Sequence, residues 1–236
     1  SRNDTPVVCL SLVQTRRKGA FMTFIYTVGD GSRYDDKELR YSLRSVEKYT
    51  DAHVIVVGHR PSWYEGEFYE VKDGDNAYVN KWNKISFACW LQDEFIQMDD
   101  DFILLAPYET YVYKLNYTML QKAYMRGKGQ SDHSKMIWAT AEICPDEPCY
   151  LLHTPLPVHS DTFIQVSNKY KWDEAPSIDP KQMYCIHQDK YEVRIKQDVK
   201  GYFPKDEHLW SLTPKLRHPE QLDEMLPYPS KWEKQV

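Results

Sequence analysis

The sequence lacks the short signatures from which several common enzyme classes are identified. It contains no P-loop, no Gly-x-Gly-x-x-Gly turn and no Gly-x-Ser-x-Gly elbow. These absences exclude the commonest kinase, dehydrogenase and esterase interpretations. The chain also has no apolar run of the roughly 18 residues that a bilayer requires, so the sequence predicts no membrane-spanning helix.

Positive charge and patterned cysteines are scarce as well. The formal net charge is −5, and an acidic chain is poorly suited to a phosphate backbone, so DNA is not favoured as an acceptor without a local basic patch. There are 5 cysteines, and such an odd, unpatterned set indicates reduced thiols and a cytoplasmic setting. Cys144 and Cys149 are close in sequence, but no second pair lies near them to complete a zinc site. The sequence does not indicate the oligomeric state.

What is present is an ordinary globular composition. The chain has 236 residues, enough for one good-sized domain or two small ones. Near the start, apolar residues 7–12 precede basic residues 16–18, which reverses the order found in signal peptides. Residues 1–21 are therefore expected to be either a remnant added for expression, with a native start at Met22, or an extra strand. Residues 22–236 are expected to form a single domain.

Strand and helix patterns alternate through the first half of the chain. The predicted order is strand Met22–Thr27, helix Lys37–Tyr49 capped by Asp35 or Asp36, strand His53–Val57, strand Phe68–Val71, helix Asn80–Leu91 and strand Phe95–Leu105. This alternation predicts βαβ units and an α/β fold with a mainly parallel sheet flanked by helices. Ligands of such sheets bind beyond the carboxyl ends of the strands.

The second half is less regular. The predicted elements are helix Leu115–Met125, strand Met136–Ala141, a helix from Ser160 or Asp161 to Tyr170, and a last helix that begins at Pro219 and has Leu222, Met225 and Leu226 on its apolar face. These elements predict a mixed α+β C-terminal half.

Three consecutive acids interrupt the last predicted strand of the first half. If the strand continues through them, Asp99 and Asp101 share one face and Asp100 takes the other. Three carboxylates beside a hydrophobic core repel each other and are costly to bury, and a divalent cation removes both costs. Oxygen ligands suit Mg²⁺ or Mn²⁺, which also bind substrate phosphates. The sequence thus predicts a metal site at Asp99, Asp100 and Asp101, with Asp100 also in the catalytic set; the alternative is a solvated acidic turn.

Polar residues elsewhere in the first half are candidates for binding a nucleotide. Asp30 follows the first predicted strand and is placed to accept hydrogen bonds from a base or ribose, although Asp-Gly turns are common without a ligand. Lys81, Asn83 and Lys84 are predicted to open the helix before the acids, where a helix N-terminus attracts phosphate. The alternative for these three residues is a solvated helix end.

Histidines provide candidates for acid–base chemistry. His153 and His159 bound a loop that contains two prolines, and a neutral histidine there can act as general base on an acceptor hydroxyl. His153 is the preferred catalytic candidate, and a structural role is the alternative for both. Further along, His187, Asp189 and Arg194 form a polar cluster that is predicted to hold a phosphate or the acceptor, and Arg194 joins the catalytic set.

Several of these segments together resemble the Stealth family. Residues 24–32 are similar to its first block, usually Tyr-Thr-Trp-Val-Asp-Gly-Ser, and residues 38–49 match its second block almost letter for letter. Residues 95–105 resemble its Leu-Asn-Asp-Asp strand, although Asp99 replaces the asparagine. Residues 153–155 and 226–233 resemble two later blocks. The chain departs from the family in the tryptophan and register of the first block, and it is short for the family.

The resemblance implies a GT-A-like, Rossmann-like fold and the transfer of a sugar 1-phosphate from a nucleotide-sugar to a sugar hydroxyl. By resemblance, Asp30 contacts the nucleotide, while Arg40 and Arg44 support the site or bind the diphosphate. In this comparison Asp100 and Asp101 hold the metal, and His153 is the catalytic histidine.

Together, the residues and the resemblance predict a metal-dependent nucleotide-sugar transferase. Its cofactor would be Mg²⁺ or Mn²⁺, its donor is expected to be a UDP-sugar, and its acceptor would be a hydroxyl of a glycan or another molecule. Three alternatives stay open: a GT-A-type glycosyltransferase acting on a modified DNA base, a metal-dependent hydrolase or nuclease, and a non-catalytic carbohydrate-binding module.

Overall fold

The structure is a computed structural model that describes residues 22–30, 36–172, 178–201, 204, 206–212 and 219–234. The predictions for residues 1–21 and for Asp35 as a cap lie outside these ranges. The strands are β1 (Thr23–Val28), β2 (His53–Gly58), β3 (Glu67–Glu70), β4 (Glu94–Met98), β5 (Phe102–Leu104), β6 (Val112–Lys114), β7 (Leu156–His159), β8 (Val193–Ile195), β9 (Lys200–Gly201) and β10 (Leu209–Leu212). The helices are α1 (Lys37–Tyr49), α2 (Ala77–Leu91), α3 (Met119–Arg126), α4 (Asp132–Ile143), α5 (Ser160–Tyr170), α6 (Pro180–Cys185) and α7 (Pro219–Met225). None of the helices within the described ranges is long and apolar enough to cross a membrane.

The central sheet has the strand order β3-β2-β1-β4-β7. The first four strands are parallel, and β7 pairs antiparallel with β4. Alternate residues of β1 point to opposite faces, as the pleat requires: Phe24 and Tyr26 pack with α1, whereas Ile25 packs with the core beneath α2 and α5. Helices therefore cover both faces, and the predicted α/β fold with a mainly parallel sheet and a mixed C-terminal half is confirmed.

The three acids do not lie in one continuous strand, so the prediction of a strand from Phe95 to Leu105 is wrong. β4 ends at Met98, and β5 belongs to a second sheet of order β5-β10-β9. The chain turns between them, where the Phe102 amide donates a hydrogen bond to the Asp99 carbonyl over 3.4 Å. Because residues 99–101 form a turn, the strand alternation that assigned their side chains to two faces does not apply.

In the second half, the predicted strand Met136–Ala141 lies inside helix α4. Its buried residues Met136, Ile137, Thr140 and Ala141 follow the spacing of a helix face, and the Ser131 side chain caps its start. Helix α3 begins at Met119, later than predicted, because a complete capping box between Thr118 and Gln121 sets its first turn. A short apolar run alone does not distinguish these states.

The starts of α1 and α5 lack the side-chain caps that the sequence predicts. Asp36 occupies the N-cap position of α1 with a left-handed backbone and no side-chain cap, and α5 begins at Ser160 without a cap from Ser160 or Asp161. Helix α2 starts at Ala77, earlier than predicted, because the Asn76 side chain accepts hydrogen bonds from two backbone amides. The last helix begins at Pro219 as predicted, with Leu222 and Leu226 buried beneath it.

Candidate functional site

The candidate site lies at the carboxyl edge of the parallel strands. Tyr26 of β1 is in register with Met98 of β4, so Asp30 and the acidic turn leave the sheet at the same edge. Gly58 ends the neighbouring strand β2 with φ 120°, and a Cβ there would lie 2.1 Å from the Val28 carbonyl oxygen. The close approach of two strand ends and a helix at this edge therefore requires glycine.

One carboxylate outside the predicted set, Asp73, joins the first strand end to α2. It accepts a hydrogen bond from the Asp30 amide over 3.1 Å and forms an ion pair with the buried Lys84. Lys81, Asn83 and Lys84 lie beyond the first turn of α2, so the prediction that they open this helix is wrong. Lys84 therefore holds Asp73, which in turn holds the Asp30 backbone. Because Lys84 lies beyond the first turn of α2, it does not form part of a helix N-terminal phosphate site.

The first acid of the turn is held by a lysine and a glutamine. The Lys81 ammonium lies 3.0 Å from both carboxylate oxygens of Asp99. The Gln97 side-chain amide donates to Asp99 over 2.8 Å and to the Thr27 hydroxyl over 3.0 Å, and Gln97 is itself buried. Although burial alone would raise the pKa of Asp99, Lys81 and Gln97 lower it below its ordinary value. Asp99 is therefore an ionised group with a fixed orientation.

The third acid is also paired with a lysine. The Lys200 ammonium of β9 and the Ser211 hydroxyl of β10 each lie 3.1 Å from Oδ2 of Asp101. The second sheet therefore reaches the acidic turn through residues that carry no sequence signal of their own.

Asp100, between them, differs from its neighbours. No donor side chain within the described part of the chain contacts its carboxylate, which is half-buried. Burial, followed by the charges of Asp101, Asp99 and Glu38, raises the pKa of Asp100 to about 7. Its carboxylate is thus the one most in need of a cation.

The chemistry of this turn fits a hard divalent cation, because it offers carboxylate oxygens at a ligand-binding edge. The described residues nevertheless contain no preformed group of three or more metal-ligating side chains. Instead, ammonium groups contact Asp99 and Asp101 at 3.0 and 3.1 Å. A cation at Asp99, Asp100 and Asp101 would have to replace at least one of these ion pairs.

His153 is connected to the same edge through Asp198, which sequence reasoning missed. Both carboxylate oxygens of Asp198 lie 3.0 Å from the His153 Nδ1 atom, and Oδ1 also accepts the His153 backbone amide over 3.2 Å. Burial alone would raise the pKa of Asp198, but these contacts hold it well below its usual range. The Lys200 amide donates to the same Oδ1 over 3.3 Å, so the histidine is linked to the lysine that pairs with Asp101.

The other candidate histidine lies at the opposite edge of the sheet. β7 runs antiparallel to β4, with Leu156 opposite Gln97 and His159 opposite Glu94. His153 precedes β7 and His159 ends it, so the strand separates them. The predicted cluster of His187, Asp189 and Arg194 is not joined by any contact among the described residues.

The side chains of His187 and Arg194 have other partners. The His187 ring contacts Lys169 and Tyr170, and its Nδ1 lies 2.9 Å from the Met183 carbonyl. Arg194 of β8 pairs with Glu192 over 2.9 Å, and its guanidinium lies 3.4 Å from the ring centre of Tyr111.

Arg40 and Arg44 of α1 bind the C-terminal segment. Arg40 lies 2.9 Å from Glu233, and Arg44 contacts both oxygens of the same carboxylate at 2.8 and 2.9 Å. Arg44 also donates to the Leu226 carbonyl over 3.0 Å. Helix α1 and the C-terminal segment are thus joined by a bidentate ion pair whose carboxylate is buried.

No family model matches the chain. No curated protein matches it either. Among solved structures, it is similar to the glycosyltransferase GlyE of Streptococcus pneumoniae TIGR4, with a TM-score of 0.37, 8% identity and coverage of 75% of this chain. The chain spans 45% of the length of that protein. At this level the similarity decides neither family nor function, and the resemblance to the Stealth family stays a prediction.

Proposed function

We propose that this protein is a nucleotide-sugar-dependent transferase that moves a sugar, or a sugar 1-phosphate, to an acceptor hydroxyl with the help of Mg²⁺ or Mn²⁺. One observation carries the proposal: the acidic turn lies at the carboxyl edge of the parallel sheet, and lysines contact two of its three carboxylates. Carboxylates bind divalent cations, and ammonium groups bind phosphates. A nucleotide-sugar and its cation would therefore contact the acids through the cation and the lysines through the diphosphate.

In this proposal, the ion pairs of the free protein are exchanged for contacts with the donor. Asp99, Asp100 and Asp101 would hold the cation, and Lys81 and Lys200 would bind oxygens of the diphosphate. When bound, the cation neutralises charge that develops on the departing phosphate. Asp30, which follows β1, would bind the nucleoside, for which we expect uridine.

His153 is the proposed general base. Because Nδ1 faces the Asp198 carboxylate at 3.0 Å, the neutral ring carries its proton there and directs the lone pair of Nε2 outward. That nitrogen can accept the proton of the acceptor hydroxyl as the new bond forms. Arg194 remains a proposed contact of the acceptor.

The resemblance to the Stealth family implies sugar 1-phosphate transfer, but the departures from that family weaken this assignment more than the assignment of a nucleotide-sugar donor, so both chemistries are tested. Attack of the acceptor on the β-phosphorus releases the nucleoside monophosphate, whereas attack on the anomeric carbon releases the diphosphate. Since Arg40 and Arg44 are paired with Glu233, we propose that they support the site indirectly, by fixing the C-terminal segment against α1.

The test begins with thermal shifts of the protein in a panel of UDP-sugars with and without Mn²⁺, because a bound ligand stabilises the folded state. The donor that shifts the transition is then incubated with sugar acceptors, and the released nucleotide is identified. We expect release to require metal and acceptor, and Asp101→Ala to abolish it while the protein stays folded.

The control is Asp161→Ala, which removes an exposed acid at the start of α5. This variant should retain turnover. Undiminished turnover in Asp101→Ala refutes the assignment. Cleavage without any sugar donor would indicate a hydrolase or nuclease, and glycan binding that survives combined Asp100→Ala and Asp101→Ala changes would indicate a carbohydrate-binding module.

A further inference from the structure

A buried lysine next to the proposed base has no role in the mechanism described so far. Lys181 lies in α6 and is 6% exposed. Removing an ammonium group from water is costly, so it persists only where its hydrogens are satisfied. The three donors of Lys181 reach the Leu152 carbonyl at 2.8 Å, the Thr154 carbonyl at 2.7 Å and the Thr154 hydroxyl at 3.0 Å.

The two carbonyls belong to the residues on either side of His153. A single ammonium group therefore donates hydrogen bonds to the backbone immediately before and immediately after the proposed base. Thr154 is buried, so its oxygens are not supplied with solvent donors in place of Lys181.

The same short helix holds the preceding residues. The Gln182 side chain accepts the Tyr150 amide over 2.7 Å and donates to the Pro148 carbonyl over 2.9 Å. Neighbouring side chains of α6 thus bind the segment from residue 148 to residue 154 at successive points. On the other side, Asp198 holds the ring and the amide of His153.

We infer that Lys181 is a positioning residue that fixes the backbone around His153, so that Asp198 can orient the ring toward the acceptor. This inference rests on the proposed function. It assigns Lys181 no contact with the substrate. Its effect on catalysis arises because a displacement of about 1 Å in a reacting group can reduce turnover about 100-fold.

The decisive variant is Lys181→Met, which keeps most of the apolar stem and removes all three hydrogen bonds. We expect kcat for transfer to fall about 100-fold with a much smaller change in the KM for the donor, because the hydrogen bonds of Lys181 go to the backbone around His153 and not to the acidic turn. A second variant, Thr154→Val, removes only the hydroxyl acceptor and keeps both carbonyls. It should produce a smaller fall in kcat in the same direction.

A readout that requires no substrate separates positioning from general stability. The ring signal of His153 in a ¹H–¹³C NMR spectrum is assigned by its loss in His153→Gln. In Lys181→Met and Thr154→Val this signal should shift, because the ring moves relative to Asp198. Lys196→Met removes another lysine that is well shielded from solvent, which pairs with Asp206 at 2.6 Å, and should leave both the signal and kcat unchanged.

The outcomes distinguish the two proposals. An unmoved His153 signal with unchanged kcat in Lys181→Met overturns the positioning role even if the variant melts at a lower temperature. If Lys181→Met does not fold, the same pair of results in Thr154→Val overturns it. A wild-type protein that transfers neither a sugar nor a sugar 1-phosphate from any nucleotide-sugar refutes the proposed function. A shifted His153 signal in Lys181→Met would still support the role of Lys181 in fixing the backbone around His153.

Discussion

Lys81 and a metal ion should compete for Asp99. Replacing Lys81 with methionine removes the ammonium that lies 3.0 Å from both carboxylate oxygens while keeping most of the apolar stem. The proposed function therefore makes an unusual prediction for Lys81→Met: the affinity for metal alone should rise, whereas the affinity for the metal–nucleotide complex should fall. The two effects have opposite signs because the lysine blocks the cation but binds the phosphate.

The magnitude follows from the exposure of the pair. The side chains of Lys81 and Asp99 are 27% and 30% exposed, so solvent screens their attraction and the pair contributes about 1 kcal/mol at most. Because about 1.4 kcal/mol corresponds to a tenfold change in an equilibrium constant, Mn²⁺ alone should bind Lys81→Met about fivefold more tightly than wild type. Loss of a charged hydrogen bond of about 1.5–3 kcal/mol should weaken UDP binding in the presence of Mn²⁺ by more than tenfold.

Both quantities can be measured without turnover. The electron paramagnetic resonance signal of free Mn²⁺ gives the affinity for the metal, and isothermal titration calorimetry with UDP at saturating Mn²⁺ gives the affinity for the nucleotide. Lys135→Met provides a matched control, since it removes an ion-paired lysine from the exposed face of α4. Unchanged or weaker Mn²⁺ binding in Lys81→Met would refute the exchange of ion pairs between protein and donor.

Two further predictions concern the scaffold. Glu233→Gln should lower the free energy of unfolding by about 2 kcal/mol, because the buried carboxylate accepts charged hydrogen bonds from Arg40 and Arg44; exposed Glu224→Gln is the control in chemical denaturation. Burial alone would raise the pKa of Glu233, but Arg44, the Ser230 amide and Arg40 lower it overall, so its contribution is present above the ordinary glutamate pKa and is lost as pH falls through the depressed value. The wild-type protein should therefore lose stability on acidification in that window more steeply than Glu233→Gln, and parallel profiles would contradict the assignment. Gly58→Ala should cost about 3 kcal/mol, since its Cβ would meet the Val28 carbonyl at 2.1 Å; Gly127→Ala, which also has positive φ but no atom within 4 Å, should cost less, and equal losses would exclude the steric explanation.

Local sequence patterns were sufficient for the elements that alternate in the first half. The apolar runs of β1 and β2, and the helix spacing of Leu39, Leu43 and Val46 in α1, carry their own periodicity, so the parallel sheet and its ligand-binding edge followed from them. The three acids were also evident as a candidate site, because three carboxylates after a buried strand are conspicuous in any sequence. That they lie in a turn, and not in a continuous strand, was decided by the pairing of β4 and β5 in different sheets. Where the local signal was a short apolar run, as at Met136–Ala141, only the capping residue at Ser131 and the packing decided for a helix.

The partners of the candidate residues depended on contacts between distant parts of the chain. Asp99 met Lys81, Asp101 met Lys200, and Arg44 met Glu233 at a separation of 189 residues. His153 and His159 bound one proline-containing loop in the sequence, but the antiparallel direction of β7 places them at opposite edges of the sheet. Residue order encodes periodicity and turns, whereas ion pairing and edge position arise only when strand order and direction bring separate segments together.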